Sequence, residues 1–235
     1  MSQHKVLLAI CGVLVWFVLM SVIIIGSIRE VKTMSETVMT VTPSAPVVTA
    51  GQQFTVTVAI TPGTGVSIAG AQFNLGWNPA AVQVNSVAEG TIFKATDPNT
   101  YFMPGTINNT NGTLVNVADA MEGAGESVTA PGSLAVITCT ALTAGTTSAF
   151  TISNAIVGTP AGVAVPLSSP TINQAEVASV WDLNLDGTVN AADMVICAGF
   201  FGQTGTPGWI PEDFLKAGVI TVLDLILIGQ NFGAT

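Results

Sequence analysis

The residues best suited to chemistry lie near the C-terminal end, in the stretch DLNLDGTVNAAD that runs from Asp182 to Asp193. Side chains with oxygen stand at its first, third, fifth and twelfth positions, and a glycine stands at the sixth. Calcium takes six to eight oxygen ligands, and loops of this length supply them from positions one, three, five, seven and twelve. The spacing therefore predicts a calcium site whose ligands are Asp182, Asn184, Asp186, Asp193 and the main-chain carbonyl of Thr188.

A second stretch, DFLKAGVITVLD from Asp213 to Asp224, repeats this frame at an offset of 31 residues. Each stretch leads into an apolar segment with helical character, the first at 191–202. The second stretch keeps both terminal aspartates and the glycine, but Leu215 and Ala217 stand where the third and fifth ligands are required. We therefore expect an internal duplication with one strong calcium site and a degenerate second loop, in which packing of Phe214 and Leu215 replaces the metal.

The segment 38–177 has the pattern of a β-sandwich. Short runs that alternate apolar and polar residues are separated by Gly, Pro and Asn, and alternation with period two indicates strands with one buried and one solvated face. Seven or more such strands in one segment favour two packed sheets. The predicted strands are 54–60, 71–77, 81–87, 113–119, 133–141, 149–156 and 171–177.

The N-terminal region contains an uncharged apolar run, Val6 to Ile28. About 20 apolar residues are needed to cross a bilayer as a helix, and the core of a signal peptide is shorter. The run predicts an uncleaved signal anchor with a transmembrane helix at 1–28, followed by a polar stalk at 29–37. The rest of the chain is then extracellular and held at the cell surface; a cleaved signal peptide and a secreted protein are the alternative.

Composition excludes several classes of function. The chain has 14 Asp and Glu against 5 Lys and Arg, so it repels the phosphate backbone and nucleic acid is not an expected partner. Its single histidine, His4, precedes the apolar run, which excludes histidine-based catalytic triads and histidine-ligated zinc. We expect no enzyme, because no motif pairs the available carboxylates in the way a glycosidase requires. These carboxylates are Glu89, Asp97, Asp119, Glu122 and Glu126.

The sandwich segment resembles a known family. VTPSAPVVTAGQQFTVTVAI, followed by IAGAQFNLGWNPAAVQVNSV, is similar to the opening of a cohesin module, and GTLVNVADA and PGSLAVITCTAL are similar to its later strands. The resemblance implies a nine-stranded jelly-roll sandwich at 38–177 whose flat face binds a dockerin. Carbohydrate-binding modules have a similar fold, so a polysaccharide-binding protein is the alternative. That alternative requires a row of exposed aromatic side chains, whereas we expect Trp77 in the core.

The tail, residues 178–235, resembles a dockerin, a small α-helical module of two loop-helix halves that calcium folds. The resemblance implies that loop positions ten and eleven contact a cohesin. These are Ala191 and Ala192 in the first half and Val222 and Leu223 in the second, although Val222 and Leu223 packed inside the module are the alternative. Together the two resemblances imply a surface-anchored, non-catalytic adaptor. Its expected partners are dockerin- or cohesin-bearing proteins, with other copies of itself and a polysaccharide as further candidates.

Overall fold

The computed structural model describes residues 36–171 and 173–235. The predicted signal anchor at 1–28 lies outside these residues, as does all of the predicted stalk except Glu36 and Thr37. Thr37 is buried and pairs with Leu167, so the sandwich begins there rather than after the stalk. In the described part of the chain, no helix is both long and apolar enough to cross a membrane.

The segment after Thr37 forms two β-sheets that pack face to face. The strands are β1 (Val38–Pro43), β2 (Val47–Thr49), β3 (Gln53–Thr61), β4 (Gly70–Gly76), β5 (Val82–Glu89), β6 (Thr100–Met103), β7 (Thr106–Asn108), β8 (Thr113–Met121), β9 (Gly132–Ala141), β10 (Thr146–Gly158), β11 (Ala164–Val165) and β12 (Asn173–Ala178). A four-stranded sheet has the order β1-β3-β9-β5, and an eight-stranded sheet has the order β2-β12-β10-β4-β8-β6, with β7 beside β8 and β11 beside β10. Neighbouring strands are antiparallel except for β2 and β12.

The predicted mainly β sandwich is confirmed, and each of the seven predicted runs coincides with a strand. In β3, for example, the buried residues Phe54, Val56, Val58 and Ile60 alternate with residues that face solvent. The described residues contain twelve strand segments rather than nine. The difference comes from short segments such as β2, β7 and β11, which have two or three residues and are too short for alternation to reveal.

The core lies between the two sheets and is built from the inward-facing residues of both. Phe73 and Phe150 are fully buried there. Trp77 is also buried, and its Nε1 donates a hydrogen bond to the carbonyl of Val82 at 2.9 Å, so it is a core aromatic as predicted. Cys139 is free and buried, so it packs there as a small apolar side chain.

The tail follows β12 after only a few residues. It contains two helices, α1 (Ala191–Ala198) and α2 (Val222–Gln230). The helix predicted at 191–202 is therefore shorter than expected: Gly199 caps α1, and Gly202 adopts a positive φ of 77° that a helix cannot continue through.

The core of the tail has the internal repeat that the sequence predicts. Its fully buried apolar residues are Val189, Cys197, Ile220 and Ile228, which form two pairs related by the offset of 31 residues. The backbone follows the same symmetry. Val189 N donates to Ala234 O at 2.9 Å, and Ile220 N donates to Gln203 O at 3.1 Å. Each loop is thus bonded to the segment that follows the helix of the other half, so the two halves form one interlocked unit.

Candidate functional site

The first loop is folded around two buried carboxylates. Asp182 receives hydrogen bonds from Asp186 N on Oδ1 (3.2 Å) and from Gly187 N on Oδ2 (2.9 Å). These bonds require a sharp turn, which Leu185 and Gly187 make with positive φ values of 56° and 89°. The first carboxylate of the loop therefore organises the loop's own backbone.

Asp193, the second buried carboxylate, joins the start of the loop to the start of α1. Its Oδ2 accepts from Asn190 N at 2.8 Å as part of a capping box, and its Oδ1 accepts from Leu183 N at 2.8 Å and Asn184 N at 3.2 Å. Asp193 is fully buried. It therefore caps the helix and also closes the loop.

The remaining predicted ligands lie in the exposed part of the same loop. Asn184 Nδ2 donates to Asp186 Oδ2 at 2.8 Å, and Thr188 N donates to Asp186 Oδ1 at 3.0 Å. The carbonyl of Thr188 accepts a hydrogen bond from Asn190 Nδ2 at 2.8 Å. All five predicted ligands thus belong to one closed loop whose side chains and backbone are mutually hydrogen bonded.

The chemistry of this donor set fits a hard cation. Two of its carboxylates, those of Asp182 and Asp193, are buried. Neither has a basic partner, because the single ion pair among residues 36–171 and 173–235 joins Lys94 to Glu89 in the sandwich. Buried carboxylates without a basic partner favour a bound cation, and oxygens are the ligands that calcium prefers. Over the same described ranges, no three His, Cys, Asp or Glu side chains converge as a metal site. The oxygens of Asp182 and Asp193 are turned towards peptide N–H groups instead, so a cation here also needs the amide and peptide oxygens.

The second loop has the same frame but a different set of contacts. Asp213 Oδ1 accepts from Ala217 N at 2.9 Å, and its Oδ2 accepts from Gly218 N at 3.0 Å and from Gly208 N at 2.7 Å. Asp182 receives no bond equivalent to the one from Gly208. Burial on its own raises the pKa of Asp213, but the three N–H donors outweigh burial and leave that pKa below its usual value.

The replacement of ligands in the second loop is only partly compensated by apolar packing. Phe214 packs on the core of the tail, as expected. Leu215 is 47% exposed, so the expectation that it packs in place of a metal is wrong. The reason is its place in the loop: it stands where the first loop has the exposed Asn184. Peptide N–H groups around Asp213 close this loop, and sequence reasoning did not identify Gly208, because it lies before the loop.

The four predicted partner-binding residues lie at the exposed starts of the two helices. Ala191 and Ala192 begin α1, and Val222 and Leu223 begin α2. Val222 and Leu223 are 55% and 54% exposed, so the alternative that they pack inside the module is wrong. The only charged residues of the helices, Asp193 and Asp224, are fully buried. The helices therefore present an uncharged apolar surface, here called the tail face, formed by Met194, Val195, Val222, Leu223 and Ile226.

A second surface with exposed apolar side chains covers the centre of the eight-stranded sheet, on the side away from the core. Two large side chains, Tyr101 and Ile156, are 60% and 50% exposed there. Between them lies a shallow hollow lined mostly by small residues, such as Gly70 and Ala120, and also by the acidic residues Asp119 and Glu126. This surface, here called the sheet face, is formed by Gln72, Asn74, Tyr101, Met103, Asn116, Ala118, Ala120 and Ile156. No large apolar side chain is exposed on the strands of the four-stranded sheet.

The acidic residues of the sandwich are mostly committed to one another or to the fold. Glu89 pairs with Lys94 and accepts a hydrogen bond from the hydroxyl of Thr100. Asp119 is buried with neither carboxylate oxygen hydrogen bonded, and burial raises its pKa to about 6. A hydrogen bond with Asp97 raises the pKa of Glu126. None of these contacts supplies the pair of facing carboxylates that glycoside hydrolysis requires.

Comparison with known proteins identifies the sandwich. The sequence profile of the cohesin domain matches residues 39–177, more than half of the chain. The second type II cohesin module of the adaptor ScaA scaffoldin of Acetivibrio cellulolyticus is 15% identical, with a TM-score of 0.52, and the alignment covers 62% of this chain and 93% of that one. A type II cohesin domain from the cellulosome of the same organism is 16% identical, with a TM-score of 0.51 and coverage of 64% and 97%. At such identity the structural likeness shows the fold alone. No curated protein matches the chain.

Proposed function

Because the chain belongs to the cohesin family, we propose that it is a non-catalytic adaptor for the assembly of protein complexes. The sheet face of the sandwich binds a dockerin-bearing protein, and the tail face binds a cohesin-bearing protein. The observation that carries this proposal is the sheet face itself, a surface with exposed Tyr101 and Ile156 on a domain that the family profile matches at residues 39–177. Exposed apolar surface ringed by polar residues is typical of protein interfaces.

We further propose that the tail is a dockerin-like module and that calcium stabilises its first loop. Asp182, Asn184, Asp186, Asp193 and the carbonyl of Thr188 would hold the ion, which supplies the positive charge that the buried carboxylates lack. The duplicated core and the interlocked backbone of the two halves support this assignment. The second loop, which lacks two ligands, is expected to stay without metal.

The location of the protein is also part of this proposal. The apolar run Val6 to Ile28 is long enough to anchor the chain in a membrane, which would hold both binding faces outside the cell. If the run is cleaved as a signal peptide, the protein is secreted and presents the same two faces. A role in polysaccharide binding has less support, because Tyr101 is the only aromatic residue exposed in the described part of the sandwich.

Two measurements on the full chain test the proposal. Calorimetric titration is expected to show one calcium ion bound per chain, and purified dockerin modules are expected to bind in the presence of calcium. Ile156→Arg should abolish dockerin binding because it places a charge on the sheet face. Gln83→Arg, on the exposed side of β5, is the matched control and should bind like the wild type. Failure of every dockerin and cohesin module to bind, together with retention on polysaccharide, would overturn the proposal.

A further inference from the structure

We propose that Glu176, in the last strand of the sandwich, belongs to the calcium site of the tail. Its carboxylate strengthens calcium binding at the first loop, and the bound ion in turn holds the tail against the sandwich. This inference rests on the proposed function, because it adds a residue to the calcium site proposed above. The spacing of the loop gives no sign of this residue, since Glu176 stands six residues before Asp182.

The position of Glu176 is fixed by β12. Its main-chain N donates to Pro46 O at 2.9 Å. Its neighbours in the strand, Ala175 and Val177, are buried in the core, so the side chain of Glu176 points to the opposite, solvent side of the sheet. The first loop of the tail reaches the same place, because a Cβ built at Gly187 would lie 3.8 Å from Glu176 Oε1. An exposed carboxylate of the sandwich thus lies beside the sixth residue of the calcium loop.

The charge around Glu176 is negative and has no basic side chain to balance it. Gly187 N donates to Asp182 Oδ2 at 2.9 Å, so the carboxylates of Asp182 and Glu176 lie near the same residue. Among residues 36–171 and 173–235, the only ion pair joins Lys94 to Glu89, which leaves Glu176 without one. Carboxylates that lie near one another without a basic partner repel each other, and a divalent cation in the loop relieves that repulsion.

The second loop has a different neighbour at the equivalent position. A Cβ built at Gly218, which is equivalent to Gly187, would lie 2.8 Å from the carbonyl oxygen of Gly205. Gly205 N donates to Gly218 O at 2.9 Å, so a neutral peptide group of the tail itself fills this place. Of the two loops, the additional negative charge therefore lies beside the one whose side chains have the oxygens to bind a cation.

Glu176 also connects the ion to the way the tail is attached. The tail contacts the sandwich at its last residue, since a Cβ built at Gly145 would lie 2.5 Å from Thr235 Oγ1. Elsewhere, Thr49 of the sandwich and Trp209 of the tail line one cleft. An ion in the first loop, attracted by Glu176, adds a third attachment between the same two parts. Calcium binding and the attachment of the tail are therefore coupled.

The test is calorimetric titration of calcium into the full chain and into its variants Glu176→Gln and Glu176→Lys. The side chain is exposed, and the bond to Pro46 comes from the main chain, so both variants should fold. Removal of one negative charge near a divalent ion should weaken calcium binding about fivefold, and reversal of that charge should weaken it about 25-fold.

Glu122→Gln is the matched control, because it removes the same charge from another exposed residue. Glu122 follows β8 at the end of the sheet where β10 ends, whereas the tail is attached where β10 begins. This variant should bind calcium like the wild type. Thermal melting in chelator is the second measurement: the tail of Glu176→Lys should melt at a higher temperature than that of the wild type, because the ammonium group relieves the repulsion.

Equal calcium affinity in the wild type and both Glu176 variants would overturn the inference and leave the proposed calcium site in place. Equal weakening by Glu122→Gln would also overturn it, because the loss would then reflect the net charge of −9 and not the position of Glu176. A lower melting temperature of Glu176→Lys in chelator would have the same meaning. A wild type that binds no calcium would instead overturn the proposed calcium site itself, so the two failures are distinguished.

Discussion

The two halves of the tail have the same backbone frame and different contents. Each half has a buried aspartate at both ends of its loop, a capped helix, and one position of positive φ before the loop glycine, at Leu185 and at Lys216. In the first half, oxygen side chains fill the exposed positions between the aspartates. In the second half, Leu215 and Ala217 fill the same positions, and an additional N–H group from Gly208 bonds to Asp213.

The comparison shows which bonds the two loop frames share. A carboxylate at the first position can organise a turn by accepting peptide N–H groups, and those bonds exist in both halves. In the first half, the oxygens at the third and fifth positions add two more such bonds, from Asp186 N to Asn184 Oδ1 and from Thr188 N to Asp186 Oδ1. In the proposed function, these oxygens are also the calcium ligands that the second half lacks.

The largest effect is expected from a matched pair of substitutions, Asp193→Ala and Asp224→Ala. In chelator, each removes a carboxylate that accepts about three hydrogen bonds. At about 1 kcal/mol per bond, both should lose about 3 kcal/mol of tail stability. At a calcium concentration a thousandfold above Kd, the ion adds about 4 kcal/mol to the wild type. Asp193→Ala should lose that increment as well, whereas Asp224→Ala should retain it.

Denaturant unfolding of the full chain, with and without calcium, measures these differences. Hydrogen exchange at the amides of Leu183 and Leu215 reports the two loops separately. The comparison between the halves would be wrong if calcium stabilised both variants equally, because calcium binding would then not depend on the carboxylate of the first loop.

The next effect concerns the core that the halves share. Cys197 and Ile228 occupy equivalent, fully buried positions. Ile228→Ala should cost about 3 kcal/mol, because it removes three carbon atoms and leaves a cavity. Cys197→Ala removes a single sulfur and should cost about 1 kcal/mol. Denaturant unfolding in chelator measures both values. A larger loss of unfolding free energy from Cys197→Ala would mean that the first half contributes more to the packing than the symmetry of the two halves indicates.

A gain of function sharpens the comparison further. The double substitution Leu215→Asn with Ala217→Asp restores oxygens at the third and fifth positions of the second loop. Calorimetry should then find two calcium ions per chain instead of one. The new site should be about tenfold weaker than the first, since the bond from Gly208 to Asp213 competes for a carboxylate oxygen and costs about 1.5 kcal/mol to break.

Lys216→Asn is the matched control for this gain, because it adds an amide oxygen to the same loop at a position that does not supply a ligand. Its phi of 50° is one that asparagine tolerates. The control should still bind one ion. A double variant that also binds only one ion would show that the frame of the second loop, and not its missing oxygens, prevents metal binding.

Much of this architecture was predictable from the sequence, and the exceptions have physical causes. Alternation located the long strands because a strand with one buried face must alternate, whereas segments as short as β11 contain too few residues for a period. The repeat at an offset of 31 residues revealed the duplicated core. The exposure of Val222 and Leu223 was not predictable, since apolar side chains at a helix start fit a core or an interface equally well. The bond from Gly208 was also hidden, because a peptide N–H group leaves no mark in a sequence.

The smallest effect is a difference in acid sensitivity that the bond from Gly208 creates. Because the pKa of Asp213 is lower in the folded chain than its usual value near 3.8, this carboxylate stabilises the fold at higher pH. That contribution is complete above the usual value and is lost as the pH falls through the lowered one. Melting of the tail in chelator between pH 6 and pH 2 should therefore show a decline at the acid end. Asp213→Asn cannot titrate, so its melting temperature should start lower and decline less. An identical acid profile in both proteins would mean that the N–H groups around Asp213 do not hold its charge, and the second half would then need another explanation for its stability without metal.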